Sequence, residues 1–81
     1  MQFTYSKERK HYTMYYPIVD CENEGDISSA EMEVVHAGGE IQCSYWDGND
    51  CGDAYVLVHS DNLQELEQVR ERLQCDCMIY L

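Results

Sequence analysis

Alternating apolar and polar positions predict strands over the first three quarters of the chain. Residues 11–19 are rich in aromatic and β-branched side chains, and Pro17 within them favours an edge strand or a bulge. Residues 30–46 alternate on both sides of a glycine pair, which predicts a β-hairpin. Residues 54–59 are an apolar run of the length typical of a buried strand. The acidic residues 22–29 between them are predicted to be a loop.

The period changes near the carboxyl end. Residues 60–73 carry one apolar stripe at helical spacing, Ser60 or Asp61 can cap the first turn, and arginines fill the last turn. Residues 75–81 then return to a strand pattern. The predicted order is β-β-β-β-α-β, an α+β fold in which one helix covers one face of an antiparallel sheet of four to five strands.

Charge changes this picture more than composition does. The 81 residues, predicted to be a single domain (1–81), contain 16 Asp and Glu against 5 Lys and Arg, for a formal net charge of −11. Residues 20–67 hold 13 carboxylates and no Lys or Arg. Because such self-repulsion opposes compaction, a partner with a basic surface is the simplest reason to retain it. Direct binding to nucleic acid or to an anionic membrane is disfavoured.

Targeting signals and cysteines indicate the compartment. Residues 1–19 lack the apolar region of a signal peptide, and no apolar run is long enough to span a bilayer, so a soluble cytoplasmic protein is expected. The number of cysteines is odd, which argues against a complete disulfide framework. We therefore expect reduced thiols that behave as small apolar side chains: Cys21, Cys43, Cys51, Cys75 and Cys77.

The segment "WDGNDCGD", residues 46–53, has some features of a calcium loop. Counted from Asp47, the third and sixth positions fit an EF-hand, but the fifth is Cys51 and the twelfth is Val58. A Gly/Asp turn between two strands is therefore the preferred interpretation.

Zinc or redox chemistry needs clustered thiolates. Four cysteines could approach one another in the predicted sheet, namely Cys43, Cys51, Cys75 and Cys77. A small metal-binding or redox protein is thus one alternative. Buried apolar cysteines are the preferred interpretation, so neither a metal nor another cofactor is predicted.

Enzymatic chemistry finds no support in the motifs. His11, His36 and His59 are all expected at strand ends or turns, and no local signature joins one of them to a Ser or Cys nucleophile. The chain is therefore predicted to be non-enzymatic, with no catalytic residue.

The carboxylates remain as the candidate binding site. Two turns crowd acids together, and Glu31 and Glu33 are expected on one strand face, about 6–7 Å apart. A rigid acidic surface can occupy a groove that otherwise binds phosphates, with aromatic side chains as central anchors. The predicted partner-binding residues are Asp20, Glu22, Glu24, Asp26, Glu31, Glu33, Glu40, Tyr45, Trp46, Asp47, Asp50 and Asp53, helped by Glu65 and Glu67. The alternative is that these acids are the solvated surface of a generally acidic protein.

In size, acidity and β-rich build with a helix, the chain resembles the small phage-encoded inhibitors, including anti-CRISPR proteins and other DNA mimics. The resemblance implies a stoichiometric inhibitor, in the host cytoplasm, of a Lys/Arg-rich nucleic-acid-binding surface such as that of a CRISPR–Cas effector. Other inhibitors of this kind act by locking or dimerising their targets. A further alternative is an adaptor or homodimeric subunit that pairs through an edge strand.

Overall fold

The structure, a computed structural model, describes residues 2–3, 10–49 and 53–80. Seven elements follow one another in this part of the chain: β1 (Gln2–Phe3), β2 (Tyr12–Pro17), α1 (Glu24–His36), β3 (Glu40–Trp46), β4 (Ala54–Ser60), α2 (Leu63–Leu73) and β5 (Met78–Tyr80). The strands form one antiparallel sheet in the order β1-β3-β4-β2-β5. The predicted α+β class with four to five antiparallel strands is confirmed.

The topology consists of two interleaved β-α-β units. In the first unit α1 connects β2 to β3, with β4 between the two strands, and in the second α2 connects β4 to β5, with β2 between them. This is the β-α-β-β-α-β arrangement of ferredoxin-like domains, with β1 added at one edge. Side chains of both helices pack in the same core cluster, so the helices cover the same face of the sheet.

The single-helix prediction is wrong, because Glu24–His36 forms a helix where a loop and a strand were expected. Asn23 caps it, and Asp26 completes a capping box by accepting from the Asn23 main-chain N–H. The side chains of Ile27, Ala30 and Val34 are buried, at the spacing of one helical face. The alternation of apolar and polar residues that predicted a strand extends over only a few residues of this helix. Tertiary packing of a weakly apolar stripe therefore outweighs a short period-two pattern.

The glycine pair consequently has another role than a hairpin turn. Gly38, with φ of 91°, and Gly39 connect α1 to β3. A Cβ atom at Gly39 would lie 2.9 Å from side-chain carbons of both Val34 and Val58. Only glycine therefore allows α1 to end this close to the sheet.

The second helix is confirmed, with a different cap. The N-cap is Asn62, whose side chain accepts from the Gln64 N–H at 3.0 Å. Leu66 and Val69 are buried in the core beside Met14, Val56 and Val58 from the sheet. Neither α1 nor α2 is long and apolar enough to cross a membrane.

Both described arginines bind main-chain carbonyls. Arg72 donates to the Ala37 carbonyl at 2.8 Å, at the carboxyl end of α1, and Arg70 donates to the Cys77 carbonyl at 3.2 Å. These bonds satisfy carbonyls that helix and strand ends leave without partners.

Pro17 lies in an inner strand and not at the predicted edge. It is the last residue of β2 and lies beyond the β5 pairing, which covers only Thr13 to Tyr15. The missing N–H therefore costs no ladder bond on the β5 side.

No helix covers the other face of the sheet in the described residues, and we call it the open face. A register shift between Ile41 and Cys43 turns β3, so that Ile41 packs under the helices while Cys43 and Tyr45 point the other way. The uniform alternation predicted for this strand is wrong at that bulge. Apolar and aromatic side chains dominate the open face: Tyr15, Tyr45, Tyr55, Leu57, Met78 and Tyr80.

Candidate protein-binding surface

Two acidic loops that are far apart in sequence lie at the same end of the molecule. The main-chain N–H of Ile18, after β2, donates to the Ala54 carbonyl at the start of β4, at 2.9 Å. Beneath the loops a second core cluster joins Cys21, Ile27, Trp46 and Ala54. We call this end the acidic pole; its described carboxylates are Asp20, Glu22, Glu24, Asp26, Asp47 and Asp53. Asp50 lies outside the described residues.

Two of these carboxylates hold the loops in place. Asp26 accepts from the main-chain N–H groups of Glu22 at 2.8 Å and Asn23 at 3.3 Å. Asp47 accepts from Asn49 at 2.9 Å and Asp53 at 3.3 Å. The N–H donors, first that of Asn49, lower the pKa of Asp47 below its ordinary value. At the start of the predicted turn, Asp47 thus forms an Asx-type bond to the N–H of Asn49.

The other four pole carboxylates are available to a partner. Asp20, Glu22, Glu24 and Asp53 are exposed, and their side chains make no hydrogen bond with the described part of the chain. Asp20 has a φ of 56°, a left-handed conformation that aspartate tolerates better than most residues.

Cations within the described ranges are engaged elsewhere. The ion pair there joins Glu40 to Lys10 at 3.2 Å, at the opposite end of β3 from the pole, and Glu40 also accepts from His59 at 2.7 Å. The arginines bind carbonyls, as described above. No described Lys, Arg or His is therefore paired with a carboxylate of the acidic pole.

Three predicted acids lie outside the pole. Because α1 is a helix, Glu31 and Glu33 are about 200° apart around its axis and do not share a face. Glu31 accepts from the Ser44 hydroxyl at 2.7 Å, and Glu33 accepts from the Tyr16 hydroxyl at 2.7 Å. Burial, followed by this bond to Glu33, raises the pKa of Tyr16 to about 12. The expectation that Glu31 and Glu33 share one strand face is therefore wrong. The third acid, Glu40, lies on the open face.

The two acids of α2 that were predicted to support the binding surface, Glu65 and Glu67, differ from each other. Glu65 accepts from the Ser60 hydroxyl at 2.7 Å near the start of α2, whereas Glu67 is exposed.

The two aromatic candidates lie on opposite sides of β3. Trp46 is buried under the acidic pole, and its Nε1–H donates to the Asn49 carbonyl at 3.1 Å. Tyr45 lies on the open face, where its ring stacks on Tyr55 with centroids 5.2 Å apart. Trp46 therefore packs in the core cluster beneath the acidic loops, and little of its surface is available to a partner.

An exposed apolar residue at the pole was missed from the sequence. Val19, in the turn that follows β2, is 80% exposed beside Asp20. It borders a surface groove of about 560 Å³ whose other lining residues include Pro17, Glu33 and Asp76. The sequence signal was a β-branched residue directly before an acidic turn, which by itself is too common to single out a contact.

The cysteines only partly match the expectation of reduced thiols. Cys75 and Cys77 form a disulfide, with Cα atoms 5.4 Å apart, so the expectation is wrong for this pair. Cys21 is a free, buried thiol that donates to the Asn23 carbonyl at 3.6 Å. Its pKa is raised first by burial and then by Asp26 and Asp47, which keeps it protonated. Cys51 lies outside the described residues.

A common four-cysteine site does not assemble from the three members that are described. Cys43 is on the open face and Cys77 is in the core on the helix side. Burial raises the pKa of the Cys43 thiol. Across residues 10–49 and 53–80, no group of three or more His, Cys, Asp or Glu side chains is arranged to hold a metal ion.

The histidines occupy three different environments. His36 is exposed in the last turn of α1, and His11 packs edge-on against Tyr12. His59 is buried: its Nδ1 accepts from the Lys10 main-chain N–H at 3.2 Å, so its Nε2 carries the proton that Glu40 accepts. His59 thus lies at the end of β4, as expected, but it is buried there with both ring nitrogens bonded.

Comparison with known proteins identifies no relative of the chain. No protein-family model matches the chain, and neither the curated proteins nor the solved structures contain a significant match.

Proposed function

We propose that the chain is a non-enzymatic inhibitor whose acidic pole docks on a Lys/Arg-rich nucleic-acid-binding surface of a bacterial defence complex, in the manner of a DNA mimic. The observation that carries this proposal is the convergence of two acidic loops, and of no described cation, at one end of the fold. The expected partner is a CRISPR–Cas effector, and the expected site of action is the host cytoplasm.

The physical argument concerns cost and gain. Crowded carboxylates repel one another, and the pole lacks the Lys or Arg neighbours that would offset this repulsion in the described part of the chain. A basic groove supplies those neighbours, and it also speeds encounter because complementary fields steer association. The proposed pole therefore gains most from the class of surface that binds phosphates.

Loop construction also supports docking. Asp26 and Asp47 fix the loops through main-chain N–H groups, so the four available carboxylates are held on a preformed surface. Holding an interface in its bound shape lowers the entropy lost on binding. Val19 supplies an exposed apolar contact among these charges.

The test is competition for nucleic acid. Purified, guide-loaded CRISPR–Cas effectors are mixed with labelled target DNA and increasing amounts of the chain, and DNA binding is measured. We expect stoichiometric loss of DNA binding for at least one effector type. If no effector of the panel loses DNA binding, the proposed target class is wrong.

Matched charge variants then locate the surface. The pole variant is Asp20→Asn with Glu22→Gln, and the control is Asp61→Asn with Glu71→Gln, two exposed carboxylates outside the predicted binding residues. Both variants raise the net charge by the same amount. Since exposed charge pairs contribute about 0.2–1 kcal/mol each, the pole variant should inhibit about 2- to 30-fold less well. Equal losses in both variants would show that total charge, and not the pole, determines binding.

The disulfide supports a second candidate function, that of a small thiol–disulfide protein. Cys75 is half-buried and Cys77 is buried, so one sulfur of the pair is accessible to an external thiol. Counting thiols in native protein before and after treatment with a thiol reductant tests this candidate. A gain of two thiols under mild reductant supports it, whereas a pair that resists reduction argues for a structural bond.

A further inference from the structure

The open face carries few charged side chains on its described strands. Among the described strand residues that point to this side, the only carboxylate is Glu40, which is bonded to Lys10 and His59. In a chain with a net charge of −11, such a face is unusual. A contact there would bring no unpaired carboxylate of these strands against its partner.

Aromatic and apolar side chains form a continuous row across the sheet. The ring of Tyr55 on β4 lies between Tyr45 on β3, with centroids 5.2 Å apart, and Tyr15 on β2, with centroids 5.0 Å apart. β5 extends the row, since Met78 pairs with Tyr15 across the ladder. At that edge Met78 is 65% exposed and Tyr80 is 43% exposed. The row therefore ends in large apolar side chains that the chain itself leaves uncovered.

We propose that a second copy of this chain covers the open face, with the two sheets packed face to face. Charge restricts where two copies can meet, because copies that each carry −11 can approach only where carboxylates are absent or already paired, as on the strands of this face. In this arrangement both helix layers, with the acids of α1, face outward. The repulsion between the acids of the two helix layers then acts across both sheets, beyond the Debye length of about 8–10 Å at ordinary ionic strength, and the acidic poles lie at the strand ends, outside the contact.

Symmetry points to the same occupant. A two-fold contact requires one patch to be complementary to itself. A pleated surface of tyrosine, leucine and methionine meets this requirement, since rings and hydroxyls of one copy can contact those of the other at the spacing of about 10 Å between packed sheets. The contact also gives a thin fold a second apolar layer, with tyrosines from both sheets. It uses the sheet faces and leaves the strand edges and the acidic poles free.

The experiment is the mass of the full chain in solution, measured by light scattering over a roughly 100-fold range of concentration. We expect twice the chain mass of 9.5 kDa at the upper end, and dissociation on dilution. Two variants introduce the same change at similarly exposed methionines: Met78→Glu on the open face, and Met32→Glu on α1, where the side chain is 54% exposed. Met78→Glu should weaken the dimer at least tenfold, whereas Met32→Glu should leave it unchanged.

Three results would overturn the proposal: a 9.5 kDa wild-type species at every concentration, equal effects of the two variants, or dissociation by Met32→Glu alone. Nitration of wild-type tyrosines provides a second readout that needs no variant. Tyr80 should become protected as concentration rises, and a constant rate of nitration would contradict the proposed contact. Binding of a labelled single-stranded oligonucleotide to a monomer through the tyrosine row would assign the face to bases and also overturn the dimer.

Discussion

The acidic pole and the open face are built from the same strands but differ in chemistry. Tyr45 and Trp46 are adjacent on β3, yet the first stacks on the open face and the second lies buried beneath the pole. The pole has exposed carboxylates on loops and at the start of α1, whereas the described strands of the open face carry tyrosines and one paired carboxylate. A strongly acidic chain can therefore keep most of its exposed carboxylates away from an apolar surface.

The largest expected difference lies between these two neighbours on β3. Replacing Trp46 with Ala removes a buried indole and its bond to Asn49, so the free energy of unfolding should fall by about 3–5 kcal/mol. Tyr45→Ala removes a half-buried ring and should cost less, with about 0.5–1.5 kcal/mol from the lost ring contact. Urea unfolding at one fixed protein concentration measures both. Equal losses would mean that the pole has no core of its own.

The next effect tests the helix that connects the pole to the rest of the fold. Asn23→Ala removes the α1 cap and one half of the capping box, so we expect a loss of about 1 kcal/mol. Asn62→Ala, at the cap of α2, is the control at a distance from the pole. Thermal unfolding compares the two stabilities, and only Asn23→Ala should also weaken binding through the pole. Equal binding by both variants would show that the loop does not depend on its cap.

Lowering the pH should reduce the stability that the acidic pole contributes. The pKa of Asp47 is lowered in the folded chain, so its contribution to stability is present above the ordinary value of 3.8 and is lost as pH falls through the folded value. Asp47→Asn should therefore flatten the acid limb of a stability-against-pH curve. An unchanged acid limb would contradict this role.

Raising the pH should reduce the stability that the open face contributes. Burial is the main cause that raises the pKa of Tyr55, so its contribution is present below the ordinary value of 10 and is lost as pH rises through the folded value. Tyr55→Phe should flatten the alkaline limb, as followed by circular dichroism during a pH titration. If the variant still loses stability at the same alkaline pH as the wild type, another group causes the alkaline limb.

The smallest effect is expected at the apolar tip of the pole. Val19 is 80% exposed, so Val19→Ser should change the free energy of unfolding by less than about 0.5 kcal/mol. Its binding to the proposed basic partner should nevertheless weaken, because the apolar contact beside Asp20 is lost. Calorimetric unfolding and the competition assay give the two numbers. Unchanged inhibition would remove Val19 from the proposed interface.

Strong periodic signals in the sequence were sufficient for part of the fold. The apolar stripe of Leu66 and Val69 identified α2, and the run at residues 54–59 identified β4. The signal for α1 was weaker, because its buried side chains include only Ile27, Ala30 and Val34, and exposed Met32 and Val35 blurred the stripe. The missed helix also changed the connectivity, and with it the order of the elements.

The candidate surface depended on that connectivity. The acids at residues 20–26 and 47–53 were visible in the sequence, but whether they meet depends on which loops share an end of the sheet. Inserting α1 between β2 and β3 makes these strands parallel, which brings the loops that follow them together. The acidic residues were therefore predictable from composition, whereas their convergence required the fold.

The most direct test of the central claim is the ionic-strength dependence of inhibition. The apparent dissociation constant of the chain for an effector that loses DNA binding in the competition assay is measured between low and high salt, for the wild type and for Asp20→Asn with Glu22→Gln. Docking of the acidic pole on a basic surface predicts that affinity falls steeply with salt, and that the slope is shallower for the variant. An affinity that is independent of salt, or a slope that the variant leaves unchanged, would contradict the account.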